Sequence, residues 1–391
     1  MPGPLTGVRI LEIAKVDGAP DVATAWACQI LGDLGADVIK VEPSVGTDAR
    51  RAGAFKNTPD MAATHLIQNR NKRSLVIDIK KSSGRNVLLK LAGTAGAVVH
   101  ANPQALMTKW GLDHAAFKAA NPRIVTCAAT GYGTNGPYAG RATSEETMQA
   151  VSSITSLNAA ALARTPCYTP TLICEKTVAM TMVSAVVAAL FHAQQTGQGQ
   201  EVEVPAFETM AAYLMIEHMW GESFIPPNAK PGYPGVLSPQ RKLTPTKDGY
   251  ISILTYMHWD TFCRLAGRPE LAEAPRFRTL PDRMKHIDAL YDETTRIMAT
   301  RTTQEWLDVF GETSMPITAV NDLNSLMDDP HLATTGYWKT VNHPTEGALR
   351  LPAFPANYSL TPAEIRRPPP GLGEHSREIL MEAGISPEEA A

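Results

Sequence analysis

The stretch Gly7–Pro43, "GVRILEIAKVDGAPDVATAWACQILGDLGADVIKVEP", decides the fold. It opens on a short β-rich run, "GVRILEI" (Gly7–Ile13), and passes through an Ala-rich helical segment. It ends in "DVIKVE", which reads as a second strand. Downstream, "SLVIDI" (Ser74–Ile79) reads as a third strand, "SGRNVLLKLAGTA" as a helix and "AVVHA" (Ala97–Ala101) as a fourth strand. "HAAFKAANP" is a further helix before the strand "RIVTCAAT" (Arg123–Thr130). Strands alternating with helices of this length imply crossover units and a parallel sheet covered on both faces. Roughly the first 200 residues are therefore expected to form an open, doubly wound α/β domain that binds ligands beyond the carboxyl ends of its strands.

The chain continues well past that domain. At 391 residues it exceeds the usual size of one core, so two domains are expected. After "HAQQTGQGQEVEVPAFETM" the sequence becomes Pro- and Gly-punctuated, as in "FIPPNAKPGYPGVLSP". "DGYISIL" (Asp248–Leu254) then reads as a strand, with helical patterns through Phe310. This divides the chain into a large domain (1–215), a linker (216–245), a small α+β domain (246–325) and a return segment (326–391). The Pro-rich tail, closing on "EHSREILMEAG", is too short for a domain of its own and is expected to pack back on the first.

Composition narrows the class. Apolar residues make up 44% and charged residues 19%, as in an ordinary globular protein, and a net charge of -3 argues against general nucleic-acid binding. Five scattered cysteines form no CxxC pair and no Cys/His cluster, so neither a disulfide framework nor a metal site is indicated. A reducing, cytoplasmic setting fits. The first twenty residues lack the basic start and apolar core of a secretory signal. The apolar run Val178–Phe191 is broken by Thr181 and Ser184, is too short to span a bilayer, and reads as a helix buried on most sides.

Three patterns carry possible chemistry. "GYGTNG" (Gly131–Gly136) matches G-x-G-x-x-G, but "PYAGRAT" separates it from the next helix, and its strand is the fifth, not the first. A tight loop that brings backbone close to a ligand is the better reading. "QNRNKRS" (Gln68–Ser74) packs Arg70, Lys72 and Arg73 together; such runs are usually solvated, yet phosphate recognition also needs such cations. In "TLICEKTVAM" (Thr171–Met180), Glu175 stands at the start of the long apolar segment, as a helix-start charge or as a nucleophile. No H-E-x-x-H and no G-x-S-x-G is present.

"PLTGVRILEI", "LGADVIKVEP", "NRNKRSLVIDIK", "NPRIVTCAATGYGTNGPYAGR", "TGQGQEVEVPAFETM" and "GEHSREIL", taken in order, resemble the class III coenzyme A transferases. That family includes formyl-CoA and carnitine CoA-transferases and the related alpha-methylacyl-CoA racemases. The resemblance implies a Rossmann-like large domain whose parallel sheet is built from both chain ends, a smaller middle domain, and two interlocked subunits. It implies acyl-CoA and a small carboxylic acid as substrates, with no permanently bound cofactor.

The family nucleophile is an aspartate at the position of Glu175, which adds one methylene. By the resemblance, Glu175 attacks the acyl-CoA thioester, forming a mixed anhydride and then a glutamyl-CoA thioester. Val16, Asp17 and Gly18 match the loop that touches the CoA nucleotide. Lys72 and Arg73, beside Asn71, match a basic pair, and Gly131 and Tyr132 lie in the glycine loop. The family's Asn-Phe or Asn-Met motif is replaced around Ala101–Asn102, and Lys109 stands where Arg is common. Ser144 occupies the racemases' catalytic His position, which disfavours two-base proton transfer. Glu145 reads as a structural carboxylate, and Arg241 and Lys242 are candidates to meet an acceptor carboxylate. Besides the transferase, an acyl-CoA racemase or isomerase and a CoA-binding protein with little or no turnover stand as alternatives.

Overall fold

The computed structural model describes residues 3–15, 21–162, 165–239 and 241–385. Six strands form one parallel sheet: β1 (Arg9–Ile13), β2 (Asp37–Glu42), β3 (Lys72–Val76), β4 (Ala97–His100), β5 (Val125–Thr130) and β6 (Glu201–Pro205). Their spatial order is β3-β2-β1-β4-β5-β6, so the winding reverses between β1 and β4. Leu11 of β1 sits opposite Ile39 of β2 on one side and Val98 of β4 on the other.

The helices of this part are α1 (Val22–Asp33), α2 (Ala63–Gln68), α3 (Ser82–Ala92), α4 (Gln104–Lys109), α5 (His114–Ala120), α6 (Glu145–Val151), α7 (Ile154–Leu162), α8 (Ile173–Thr196) and α9 (Ala206–His218). The two-residue period of the strands sorts their side chains onto two cores. Leu11, Ile13, Ile39 and Val98 pack with Val87, Leu88 and Leu91 of α3 and Phe117 of α5. Ile10, Val38, Val99 and Val125 pack on the other face with Leu31 of α1 and Val178, Met182 and Val186 of α8. Both faces of the sheet are therefore covered, as the alternation predicts.

Three expectations are corrected. All six strands come from residues 9–205, so the sheet is not built from both chain ends. The C-terminal segment instead supplies the helix Ser376–Glu382, whose Ile379 and Leu380 enter the α3/α5 core, and the antiparallel hairpin Trp338–His343/Gly347–Pro352. Second, α8 runs for 24 residues and is long and apolar enough, by length and composition, to cross a membrane. Third, it is not buried on most sides. Val178, Met182, Val186 and Ala189 form its buried stripe, while Met180 and Phe191 on other faces are 51% and 63% exposed. The buried stripe makes it the core helix of the α1 side of the sheet.

The chain divides into two compact units: one of Met1–Ser156, Cys167–His218 and Leu332–Ala391, and one of Leu157–Pro166 and Met219–His331. Residues 219–245, assigned above to a linker, belong to the second unit. There Trp220 packs on Tyr233 and Thr244–Pro245 pairs with Tyr250–Ile253, contacts that give a Pro- and Gly-rich stretch fixed structure. Tyr250–Ile253 also pairs with Ile317–Ala319, and beside this sheet Trp259, Phe262, Trp306 and Phe310 form an aromatic core.

Candidate active site

Glu175 lies in the first turn of α8, and the start of that helix is capped from outside. Leu172 at the N-cap has no side chain to accept a hydrogen bond. Glu145, in the first turn of α6, takes the role. Its Oε1 accepts from the Cys174 N–H at 3.1 Å and its Oε2 from the Glu175 N–H at 3.0 Å. Orphan N–H groups at a helix start need such acceptors. Gln149, one turn along α6, donates to Oε1 of Glu145 at 2.8 Å and steadies it.

The Glu175 side chain reaches a second helix start. Its Oε2 accepts from the Ala23 N–H in the first turn of α1 at 2.9 Å. Asp21 caps the same helix through Thr24. Burial, first, and the charges of Asp21 and Glu145 push the Glu175 carboxyl up to about 7, against the pull of the Ala23 hydrogen bond and of Lys15. Burial pushes the neighbouring Cys174 thiol up to about 12, aided by Glu145, so it stays a thiol and is a poor nucleophile.

These groups line a cavity of about 410 Å³. Its wall includes Lys15 beyond β1, Ala101 beyond β4, Thr130 and Gly131 at the end of β5, and Ala206 beyond β6. It thus sits at the carboxyl edge of the sheet and spans the β1/β4 reversal, where open α/β sheets bind ligands. Beside it, Ala14 lines a second cavity of about 200 Å³ at the ends of β1, β2 and β3, with Ser44, Asp78 and Lys80.

The other site residues named from sequence are scattered. Gly131 lines the Glu175 cavity, tightly packed: a Cβ there would lie 2.3 Å from Cγ2 of Thr143. Tyr132 packs edge-on against Tyr138 and Phe207. Two N–H groups of the glycine loop are taken by carboxylates, Gly133 by Glu208 and Thr134 by Glu203, and so are engaged within the protein. Asn102 is buried and donates to the Ala14 carbonyl at 3.1 Å; Lys109 is exposed at the end of α4. Val16, Asp17 and Gly18 lie outside the described residues. Arg241 and Lys242 belong to the second unit.

Asn71, Lys72 and Arg73 do not line the Glu175 cavity. β3 begins at Lys72, two residues ahead of the expected strand, and draws the basic run into the fold. Asn71 donates to Asp33 and accepts from the Arg366 and Arg367 N–H groups, pinning the C-terminal segment. Lys72 is fully buried against Glu12, the Ala25 carbonyl and Asn69. Arg73 pairs with Asp37, Glu378 and Glu382. The run is neither a solvated face nor a free anion site; its cations are spent internally. The residues that sequence reasoning missed are Asp21, Ala23 and Lys15. Asp21 carried a legible signal, an acidic N-cap ahead of an Ala-rich helix.

Sheet order and site together define an open α/β protein with a cavity at the carboxyl edge of a parallel sheet, around a carboxylate held between two helix starts. The chain belongs to CoA-transferase family III, whose family model matches residues 5–376. It is 31% identical to the succinate–glutarate CoA-transferase of Agrobacterium fabrum, covering 97% of this chain and 95% of that one. It is 28% identical to a probable fatty acyl-CoA transferase of Mycobacterium tuberculosis, over 96% and 97% of the two chains. Among solved structures, a CAIB/BAIF family protein of Brucella suis superposes with a TM-score of 0.83 at 26% identity, over 98% of this chain and all of that one.

Proposed function

We propose that this chain moves coenzyme A from an acyl-CoA donor to a carboxylic acid acceptor, with Glu175 as covalent nucleophile. The observation that carries the reading is the placement of Glu175: a partly buried carboxylate held by the Ala23 N–H, in a cavity at the β1/β4 reversal. A Glu175 oxygen attacks the thioester carbon, the C–S bond breaks, and CoA leaves as thiolate. The thiolate then attacks the Glu175 acyl carbon of the mixed anhydride, releasing the donor acid and leaving a glutamyl-CoA thioester. An acceptor carboxylate attacks that carbon, displaces the thiolate and forms a second anhydride. Attack of the thiolate on the acceptor's acyl carbon yields the new acyl-CoA and restores Glu175. Splitting the exchange into these steps conserves the thioester energy. The Ala23 N–H is positioned to stabilise oxygen charge on the Glu175 acyl group.

The adjacent cavity suits the rest of the cosubstrate. Ala14 borders one cavity and Lys15 the other, so the two are lined by neighbouring residues at the end of β1. Lys80 lines the smaller one and supplies a cation suited to a phosphate group of the nucleotide. Isomerisation of the acyl chain is disfavoured. Ser144, at the racemase base position, caps α6 through Thr147, and no histidine lines the Glu175 cavity among the described residues. The same reading carries a cytoplasmic, interlocked homodimer with a large and a small domain. Hydroxylamine added during turnover, followed by peptide mass spectrometry, tests the mechanism: a hydroxamate on Glu175 is expected. An active enzyme left unmodified there would exclude the covalent route.

A further inference from the structure

Lys15, two residues past β1, is the one Lys or Arg on the wall of the Glu175 cavity among the described residues. It makes no ion pair or hydrogen bond with them. Among the described residues four carboxyl groups share the wall: Asp21, Glu145, Glu146 and Glu175. Asp21 and Glu145 are committed to backbone N–H groups of α1 and α8. The remaining wall is largely apolar, with Val22, Ala52, Met148, Leu172 and Val178.

Building on the CoA-transfer reading, we propose that Lys15 holds the carboxylate of the acceptor acid, and that the cavity selects monocarboxylic acids with an apolar chain over dicarboxylic acids. The charge sequence of the reaction supports this. While Glu175 is ionised, Lys15 faces a carboxylate within the cavity. Once Glu175 is a CoA thioester it is neutral, and the ammonium is released at the stage when the acceptor must enter. The acceptor oxygen then forms its bond to the Glu175 acyl carbon as the C–S bond breaks and thiolate leaves. A second carboxylate on the acceptor would find no second cation on this wall among the described residues and would face Glu145 and Glu146, a like-charge clash that disfavours it.

The test uses initial rates with acetyl-CoA as donor and hexanoate or glutarate as acceptor. For the wild type, kcat/KM for hexanoate is expected to exceed that for glutarate by about tenfold or more. Lys15→Met is expected to raise the hexanoate KM by about tenfold while the acetyl-CoA KM moves by less than about threefold, and Lys15→Arg to restore most of the loss. Glutarate used as well as or better than hexanoate, or donor and acceptor KM rising alike in Lys15→Met, would overturn the inference. If no acid accepts CoA, the transfer reading itself fails, and calorimetric titration of hexanoate into CoA-loaded protein decides on Lys15. Binding about tenfold weaker in Lys15→Met upholds the carboxylate site, and equal binding removes it.

Discussion

The backbone N–H of Glu175 donates to Oε2 of Glu145 at 3.0 Å, so one carboxylate fixes the chain position of another. Glu145 also holds the Cys174 N–H and receives Gln149, which makes α6 the clamp on the start of α8. Glu145→Ala removes the external cap and is expected to lower stability by about 1–2 kcal/mol. It should also let the proposed nucleophile drift, lowering kcat by about tenfold to a hundredfold. Glu145→Gln keeps an acceptor oxygen and should fall between. Thermal unfolding and initial rates check both; wild-type kcat in the alanine variant would show that the clamp does not position Glu175.

The Glu175 carboxyl, pushed up to about 7 by burial and by the charges of Asp21 and Glu145, is expected to make the proposed transfer pH-dependent. With Glu175 as the proposed nucleophile only the ionised form would attack, so kcat/KM for acyl-CoA is expected to rise with pH through about 7 and then level. Asp21→Asn retains a capping side chain while removing a charge, and should shift that rise to lower pH. Stability runs the other way. A carboxyl raised from its ordinary value contributes fully below the ordinary carboxylate range and loses that contribution as pH rises through about 7. Glu175→Gln should therefore be more stable than wild type at pH 8, by about 1–2 kcal/mol, and not at pH 4. Denaturant midpoints at the two pH values measure the difference.

The extra methylene of Glu175 is matched to its surroundings. Its Oε2 reaches the Ala23 N–H at 2.9 Å across the gap between the starts of α8 and α1. An aspartate on the same backbone ends short of that donor. Glu175→Asp, although it installs the residue that the family resemblance implies here, is expected to lose that hydrogen bond and to slow the proposed turnover by about tenfold to a hundredfold. Single-turnover release of CoA reports it directly. A faster aspartate variant would mean that the glutamate weakens an otherwise ordinary site.

What the sequence made legible was mostly local. The strands of the large domain could be placed because their apolar residues alternate, and that period is what sorts Leu11 and Ile10 onto opposite cores. The lone carboxylate before a long apolar run marked Glu175 for the same reason, since a charge there is conspicuous. Long-range pairing was not legible. Nothing in "QNRNKRS" reveals that Arg70 meets Asp33, Lys72 meets Glu12, and Arg73 meets Asp37 and two C-terminal glutamates. Nor does any local pattern announce that Glu145 and Ala23 converge on Glu175 from residues 30 earlier and 152 earlier in the chain.

Arg73 separates the two readings of that basic run. Its side chain is only 4% exposed and its three partners tie β2 and the helix Ser376–Glu382 to β3. Those partners are more than a third exposed, so solvent screens the pairing and tempers its contribution. Arg73→Met is expected to lower stability by about 1–3 kcal/mol and to leave the acyl-CoA KM within about twofold of wild type. Chemical denaturation and steady-state kinetics supply both readings. A large rise in KM at unchanged stability would return Arg73 to the cosubstrate site.

The outer surface of α8 and α9 bears on assembly. Phe191 is 63% exposed and Ile216 87% exposed, with Met180 and Tyr213 exposed on the same two helices. Large apolar side chains left open in this number fit the proposed dimer, in which a second copy would cover them. With two copies as the proposed occupants, a symmetric interface would present each changed residue twice. Phe191→Glu combined with Ile216→Glu would then bury four carboxylates without partners, at a cost of several kcal/mol by the order of magnitude for unpaired buried charge. Multi-angle light scattering should give the wild type about twice the 42.2 kDa chain mass and the double variant a single chain mass or insoluble protein. A wild type that scatters as one chain would remove the dimer, and a double variant that stays dimeric would move its interface away from these helices.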